Sequence, residues 1–153
     1  MKKWLLVLIL SMCLNAEEGL KKVVFDLTIG DLKEFEQKVL IGMVKNKDYY
    51  QSNMQELEVA VVIHGDAYKF FIKDLSNSPY KDDTKLISER ESLEKRLKSS
   101  VENYHVKFYI CQAGMNHLKI ANENIYDFVT PVVTSTIGLI DLQNEGYAYM
   151  PIR

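Results

Sequence analysis

The sequence predicts an α/β fold: one domain built on an open, mostly parallel sheet of about five strands, with helices on both faces. Three observations carry that expectation. Apolar, strand-like runs alternate with helical segments from Lys22 onward, and strands separated by helices pair in parallel through right-handed crossovers. The run Val59, Ala60, Val61, Val62, Ile63 is continuous rather than alternating with polar residues, which is the pattern of a strand covered by helices on both sides. No repeat, low-complexity stretch or shift of composition divides the 153 residues, and that length suits one core.

The amino terminus comes first. Lys2 and Lys3 precede the unbroken apolar run Trp4 to Leu10, and Ala16 stands just before Glu17 and Glu18. This is the layout of a secretory signal peptide over residues 1–16, cleaved after Ala16. The apolar run falls short of the roughly 20 residues that span a bilayer, so no membrane span is expected. Cys13 offers a competing reading as a lipidated first residue; Leu10 and Ser11 suit a lipoprotein site, but Met12 does not. The folded domain then covers 20–153.

Lys22 to Leu27 reads as the first strand, ended by Thr28, Ile29 and Gly30. Asp31, with Glu34 three positions on, forms a capping box. Leu32, Phe35, Val39, Leu40, Met43 and Val44 follow at helical spacing, to about Tyr50. Leu57 to His64 is the clearest strand, stopped by Gly65 and Asp66; Ala67 to Leu75 reads as a short helix, with Asp66 as its N-cap, and Ser76 to Pro79 breaks the chain. A charged helix runs from about Thr84 to Asn103, with Leu86, Leu93, Leu97 and Val101 along one side. The third strand, Val106 to Ile110, leads through Cys111 into the small, loose stretch Gln112, Ala113, Gly114 and a short helical or irregular piece, Asn116 to Asp127. Val129 to Thr134 is the fourth strand, placed at a sheet edge by Pro131. Ile137 to Gln143 reads as a helix and Tyr147 to Ile152 as the last strand.

Charge and residue usage exclude several functions. Loss of residues 1–16 removes two of the 19 basic residues and none of the 21 acidic ones. The mature chain is therefore acidic and lacks the basic patch of a nucleic-acid partner. His64, His105 and His117 have no metal-ligand spacing, so no metal and no cofactor are expected. No glycine cluster forms a phosphate loop and no nucleophile elbow is present. Tyr147 and Tyr149 alternate on the last strand, where packing explains them.

Chemistry is therefore sought at the carboxyl ends of the strands, where open α/β sheets bind ligands. Parallel strands bring three ends to one rim: Asp26 with Thr28 and Asp31, His64 with Asp66, and Cys111. Cys111 is the sole cysteine outside the amino-terminal segment, so an intramolecular disulfide is excluded in the mature chain. A thiol at a helix start is favoured as the nucleophilic thiolate, yet an unpaired cysteine is also a good small core residue. Position alone leaves both open. A histidine ending a buried strand is either a base or a backbone cap, and Asp26 between Phe25 and Leu27 needs hydrogen-bond partners if buried.

At these residues the chain resembles the DsrE/DsrF-like family. The resemblance rests on the strand end His64-Gly65, on Phe108-Tyr109-Ile110 followed by Cys111, and above all on Ile137-Gly138-Leu139-Ile140-Asp141-Leu142-Gln143-Asn144-Glu145-Gly146-Tyr147-Ala148-Tyr149. It implies a three-layer YchN-like domain that assembles as a homotrimer or homohexamer. It also implies sulfur metabolism, with Cys111 carrying sulfur as a persulfide between a donor and an acceptor protein; His64, at the neighbouring strand end, is expected beside it to stabilise the thiolate, from the same subunit or across a subunit boundary. Where many relatives have asparagine and threonine after the cysteine, Gln112, Ala113 and Gly114 stand here. The rival expectation is a non-catalytic, homo-oligomeric module that binds a small molecule or a protein, with Cys111 buried.

Overall fold

A computed structural model describes residues 19–153; the expected signal peptide, its cleavage site at Ala16 and the lipidation alternative at Cys13 lie outside them. The sheet has five strands, β1 (Leu20–Leu27), β2 (Glu56–Ile63), β3 (Lys107–Cys111), β4 (Val129–Val132) and β5 (Ala148–Ile152), in the order β4-β3-β2-β1-β5. Every pairing is parallel, so all carboxyl ends share one rim, as the alternating sequence requires. Pro131 sits in edge strand β4, where a missing N–H is tolerated.

Helix α1 (32–52) carries the first crossover. Asp31 caps it, its Oδ1 accepting from the Glu34 N–H at 2.8 Å, and it is π-helical over Phe35–Ile41 before returning to α-helix at Gly42–Ser52. Helix α2 (Thr84–Glu102) carries the second, capped by Asp83. Leu32, Phe35, Val39, Leu40 and Met43 of α1, with Leu86, Leu93 and Leu97 of α2, pack on Phe25, Val59, Val61 and Phe108 in the larger core. These are the apolar positions at helical spacing in the sequence.

The opposite face is covered by one short helix, α4 (Ser135–Asn144), capped by Thr134. Leu142, with Leu139 beside it, meets Val24, Ala60 and Val62 in a smaller core that Tyr147 completes. The chain thus climbs from β1 to β4 with its long helices on one face and returns over the other to place β5 beyond β1.

Two local expectations are corrected. Residues 65–70 form a 3-10 turn, Gly65–Phe70, rather than a helix over 67–75, and its N-cap residue is His64, without a side-chain cap bond, not Asp66. Asp66 instead packs against Gly30, where an added Cβ would come within 2.7 Å of the Asp66 Cβ. Gln112, Ala113 and Gly114 are not loose: they begin helix α3 (Gln112–His117) directly after Cys111. Its Met115 is fully buried, and that anchor outweighs the glycine's preference for disorder. No helix among the described residues is long and apolar enough to cross a membrane.

Candidate functional site

The carboxyl rim of the sheet holds two groups of polar side chains. The first surrounds Cys111, the last residue of β3 and the N-cap of α3. Its side chain is buried, with 7% of the residue exposed. The Tyr68 hydroxyl, brought by the 3-10 turn after β2, donates to the Cys111 carbonyl oxygen at 3.0 Å. Gly114 lies against that hydroxyl so closely that an added Cβ would stand 1.9 Å from it. Glycine is therefore required for α3 to begin where it does while Tyr68 reaches the end of β3.

Burial alone pushes the Cys111 thiol up. The Gly114 N–H, the Tyr68 hydroxyl, and the N–H and hydroxyl of Ser135 at the start of α4 act the other way and prevail, leaving the thiol below its ordinary range. Polar N–H and O–H groups close to a sulfur favour its anion, although the Tyr68 proton itself is given to the Cys111 carbonyl oxygen. Tyr68 itself is pushed well above the usual phenol range, chiefly by burial, so it stays a neutral donor. Burial and a lowered thiol thus pull in different directions at Cys111, since reactive cysteines are usually partly exposed.

The second group is centred on Asp26 in β1, 4% exposed and one of three buried polar residues among those described. Burying an unpaired carboxylate costs several kcal/mol, and here both oxygens are paired. Asp26 Oδ1 lies 2.5 Å from His64 Nε2, and Oδ2 accepts from the Tyr149 hydroxyl at 2.6 Å. The Arg153 guanidinium stands 3.8 Å from Oδ2. The partners come from both flanking strands, His64 from the end of β2 and Tyr149 from β5. Tyr149 is held above its ordinary range, first by its bond to Asp26. The group occupies the gap between β1 and β5, where strand order reverses, the usual location of ligand sites in open α/β sheets.

Strand register brings the two groups together. Ile63 and Ile110 are partners across β2 and β3, so His64 and Cys111 are the next residues on neighbouring strands. The imidazole turns toward β1 and Asp26; the groups around the thiol are Tyr68, Gly114 and Ser135. Tyr149, read from sequence as packing, is 40% exposed and serves Asp26 instead, whereas Tyr147 is buried in the smaller core. Nothing in the spacing of 26, 64 and 149 announces their meeting. Only the β2-β1-β5 order creates it, although a polar residue amid Phe25 and Leu27 was the available signal. Among the described residues no three His, Cys, Asp or Glu side chains gather as a metal site requires.

The described fold is similar to that of MTH1491, a protein of unknown function from Methanobacterium thermoautotrophicum, with a TM-score of 0.58 and 17% identity, covering 86% of this chain and 99% of that one. By sequence the chain is similar to an uncharacterized protein of Aquifex aeolicus (strain VF5), 32% identical over 151 residues. That match covers 99% of this chain and 64% of the relative's length. The model of the DsrE/DsrF-like family matches residues 21–152, from the first strand to the end of the last. With Cys111 and His64-Gly65 at its strand ends and a match over the whole sheet, the chain belongs to the DsrE/DsrF-like family.

Proposed function

We propose that the protein is a sulfur carrier, in which Cys111 accepts a sulfur atom as a persulfide and passes it to a partner thiol. The observation that carries this reading is the place of Cys111, at the end of β3 and the N-cap of α3 on the carboxyl rim of a sheet matched throughout by the DsrE/DsrF-like family. Polar groups of Gly114, Tyr68 and Ser135 that, against burial, hold its thiol below the ordinary range agree with it, since sulfur transfer begins with a thiolate. In the step, the Cys111 thiolate attacks the terminal sulfur of a donor persulfide, forms the new S–S bond and releases the donor thiol. Oxidation level is conserved overall, so no external oxidant is required.

The proposal includes export and self-assembly. Export is supported by Lys2, Lys3, the run Trp4 to Leu10 and Ala16. Outside the cytoplasm an oxidising compartment would let the Cys111 thiol rest as a persulfide or a mixed disulfide between rounds of transfer. Assembly as a homotrimer or homohexamer is supported by the outward apolar side chains Val133, Ile137 and Ile140, exposed by 69%, 44% and 50%.

A second reading, an oligomeric binding module, is favoured by the burial of Cys111 and by an open cleft of about 960 Å³ at the amino end of β1 and β5, lined by Phe25, Tyr49, Tyr50, Leu57 and Met150. Intact mass after exposure to a persulfide donor separates the two. A carrier gains one sulfur, loses it on reduction and gains none as Cys111→Ser. No increment from several donors, with Cys111 alkylated only after unfolding, would leave the binding module. The same spectrum reports cleavage after Ala16.

A further inference from the structure

We propose that Asp26 is the positioning residue of this site: through His64 it fixes an imidazole that exchanges protons with Cys111 during sulfur transfer. The inference rests on the carrier reading and names the acid–base machinery that reading lacks. Asp26 is buried at 4% exposure in the central stretch of β1, where its neighbours are Phe25 and Leu27. A valine or leucine would fill that position without a charge to satisfy, so the carboxylate costs the core free energy that only its hydrogen-bond partners offset.

Its hydrogen bonds define what it does. A carboxylate only accepts, so the His64 contact at 2.5 Å is an Nε2–H donating to Oδ1, and the Tyr149 contact at 2.6 Å is an O–H donating to Oδ2. A neutral imidazole that carries its proton on Nε2 has its lone pair on Nδ1. Asp26 therefore sets the tautomer and would stabilise the imidazolium formed when Nδ1 takes a proton. The His64 side chain is 28% exposed, so the ring is open to the rim on one side while anchored on the other.

The same rim holds the proton source. His64 and Cys111 each lie one residue beyond the register pair Ile63 and Ile110, on strands separated by about 4.8 Å. Asp26, His64 and Cys111 thus come from three consecutive strands, β1, β2 and β3, in spatial order. That figure is the spacing of the backbones, and with the imidazole anchored on the β1 side the exchange runs through one water between Nδ1 and the sulfur. The groups bearing on it are Asp26 from β1, Tyr149 and Arg153 from the β5 side, Asp66 and Tyr68 from the turn after β2, and Ser135 from α4.

The step balances. The Cys111 S–H proton passes to His64 Nδ1; the thiolate attacks the outer sulfur of a donor R–S–SH; the donor S–S bond breaks. The leaving RS⁻ then takes the proton back from His64. Thiol and persulfide exchange places with no net change in protons or electrons.

The test follows iodoacetamide labelling of Cys111 against pH, read by peptide mass, in the wild-type protein, Asp26→Asn, His64→Gln and the double variant. Asp26→Asn keeps the shape but presents an amide to the imidazole. The expected result is an inflection moved to higher pH in each single variant, with labelling at neutral pH slowed about tenfold, the effect of one pKa unit. The double variant should show no further loss, because the two residues act as one unit. Thermal melting, measured alongside, reports any purely structural effect, which would leave the inflection in place. An unchanged inflection in folded Asp26→Asn overturns the proposal. If Asp26→Asn does not fold, His64→Gln at the partly open strand end carries the same test, and an unchanged inflection there overturns it too. The one-sulfur mass increment of the wild type decides the carrier reading separately: its absence defeats that reading, whereas its presence beside an unchanged inflection defeats only the role of Asp26.

Discussion

Tyr68 links the two sides of the thiol's surroundings. Its hydroxyl is held in place by the glycine beneath it, donates to the Cys111 carbonyl oxygen and lowers the neighbouring sulfur. Tyr68→Phe keeps the ring in the core and removes the donor, so two outcomes are expected. Stability should fall by about 1 kcal/mol, the usual loss when a buried carbonyl loses its donor, measured by denaturant melting. The thiol should also rise, because a donor that favoured the anion is gone, and the pH at which Cys111 becomes half-reactive should move upward. A chain that loses stability without that movement would show that the hydroxyl serves only the backbone. At this scale the sequence was legible at Cys111 and silent on its neighbours, since Tyr68 arrives from a turn 43 positions before it and Ser135 from a helix start 24 positions after it.

The elements follow from their apolar patterns, and where the expectation failed a local packing demand was the cause. Val59 to Ile63 could be nothing but an interior strand, and α2 keeps the three leucines of its stripe buried. The turn after β2 shortened because Gly65, at φ +60, starts it sharply and Phe70 and Phe71 then need burial beside Phe35. Helix α1 ends in a costlier way. Met54 lies just past its C-cap at φ 57 and is 97% exposed, a left-handed position that side chains resist and glycine accepts. Met54→Gly should therefore raise stability by up to about 1 kcal/mol, a gain readable as a higher melting temperature. A lower melting temperature would mean that the methionine side chain has a partner that its exposure hides.

For the whole molecule the decisive asymmetry is between the two faces of the sheet. One carries α1, α2 and α3 over a broad core, the other a single ten-residue helix. The outer side of that helix presents Ile137 and Ile140 to solvent, with Val133 just before it. If subunits meet there, Ile140→Asp should convert the assembled protein to monomers, measured by sedimentation or light scattering, while β1 to β4 keep their melting behaviour. Unchanged mass would move the contact elsewhere. Strand order was predictable only as parallel; the position of β5 beyond β1 was not, because it depends on which way the last crossover turns over the second face. That placement has a temporal meaning. Asp26 and Tyr149 are 123 positions apart, so on a growing polypeptide the acid has His64 for one oxygen early but waits for a hydroxyl on the other until nearly every other described residue has been made. A product stopped short of β5 would leave β1 as a bare edge open to stray strands and its carboxylate without the hydroxyl that steadies it. Docking of the last strand and completion of the hydrogen bonds to Asp26 are thus one event: until β5 pairs with β1, the acid is held from the β2 side alone.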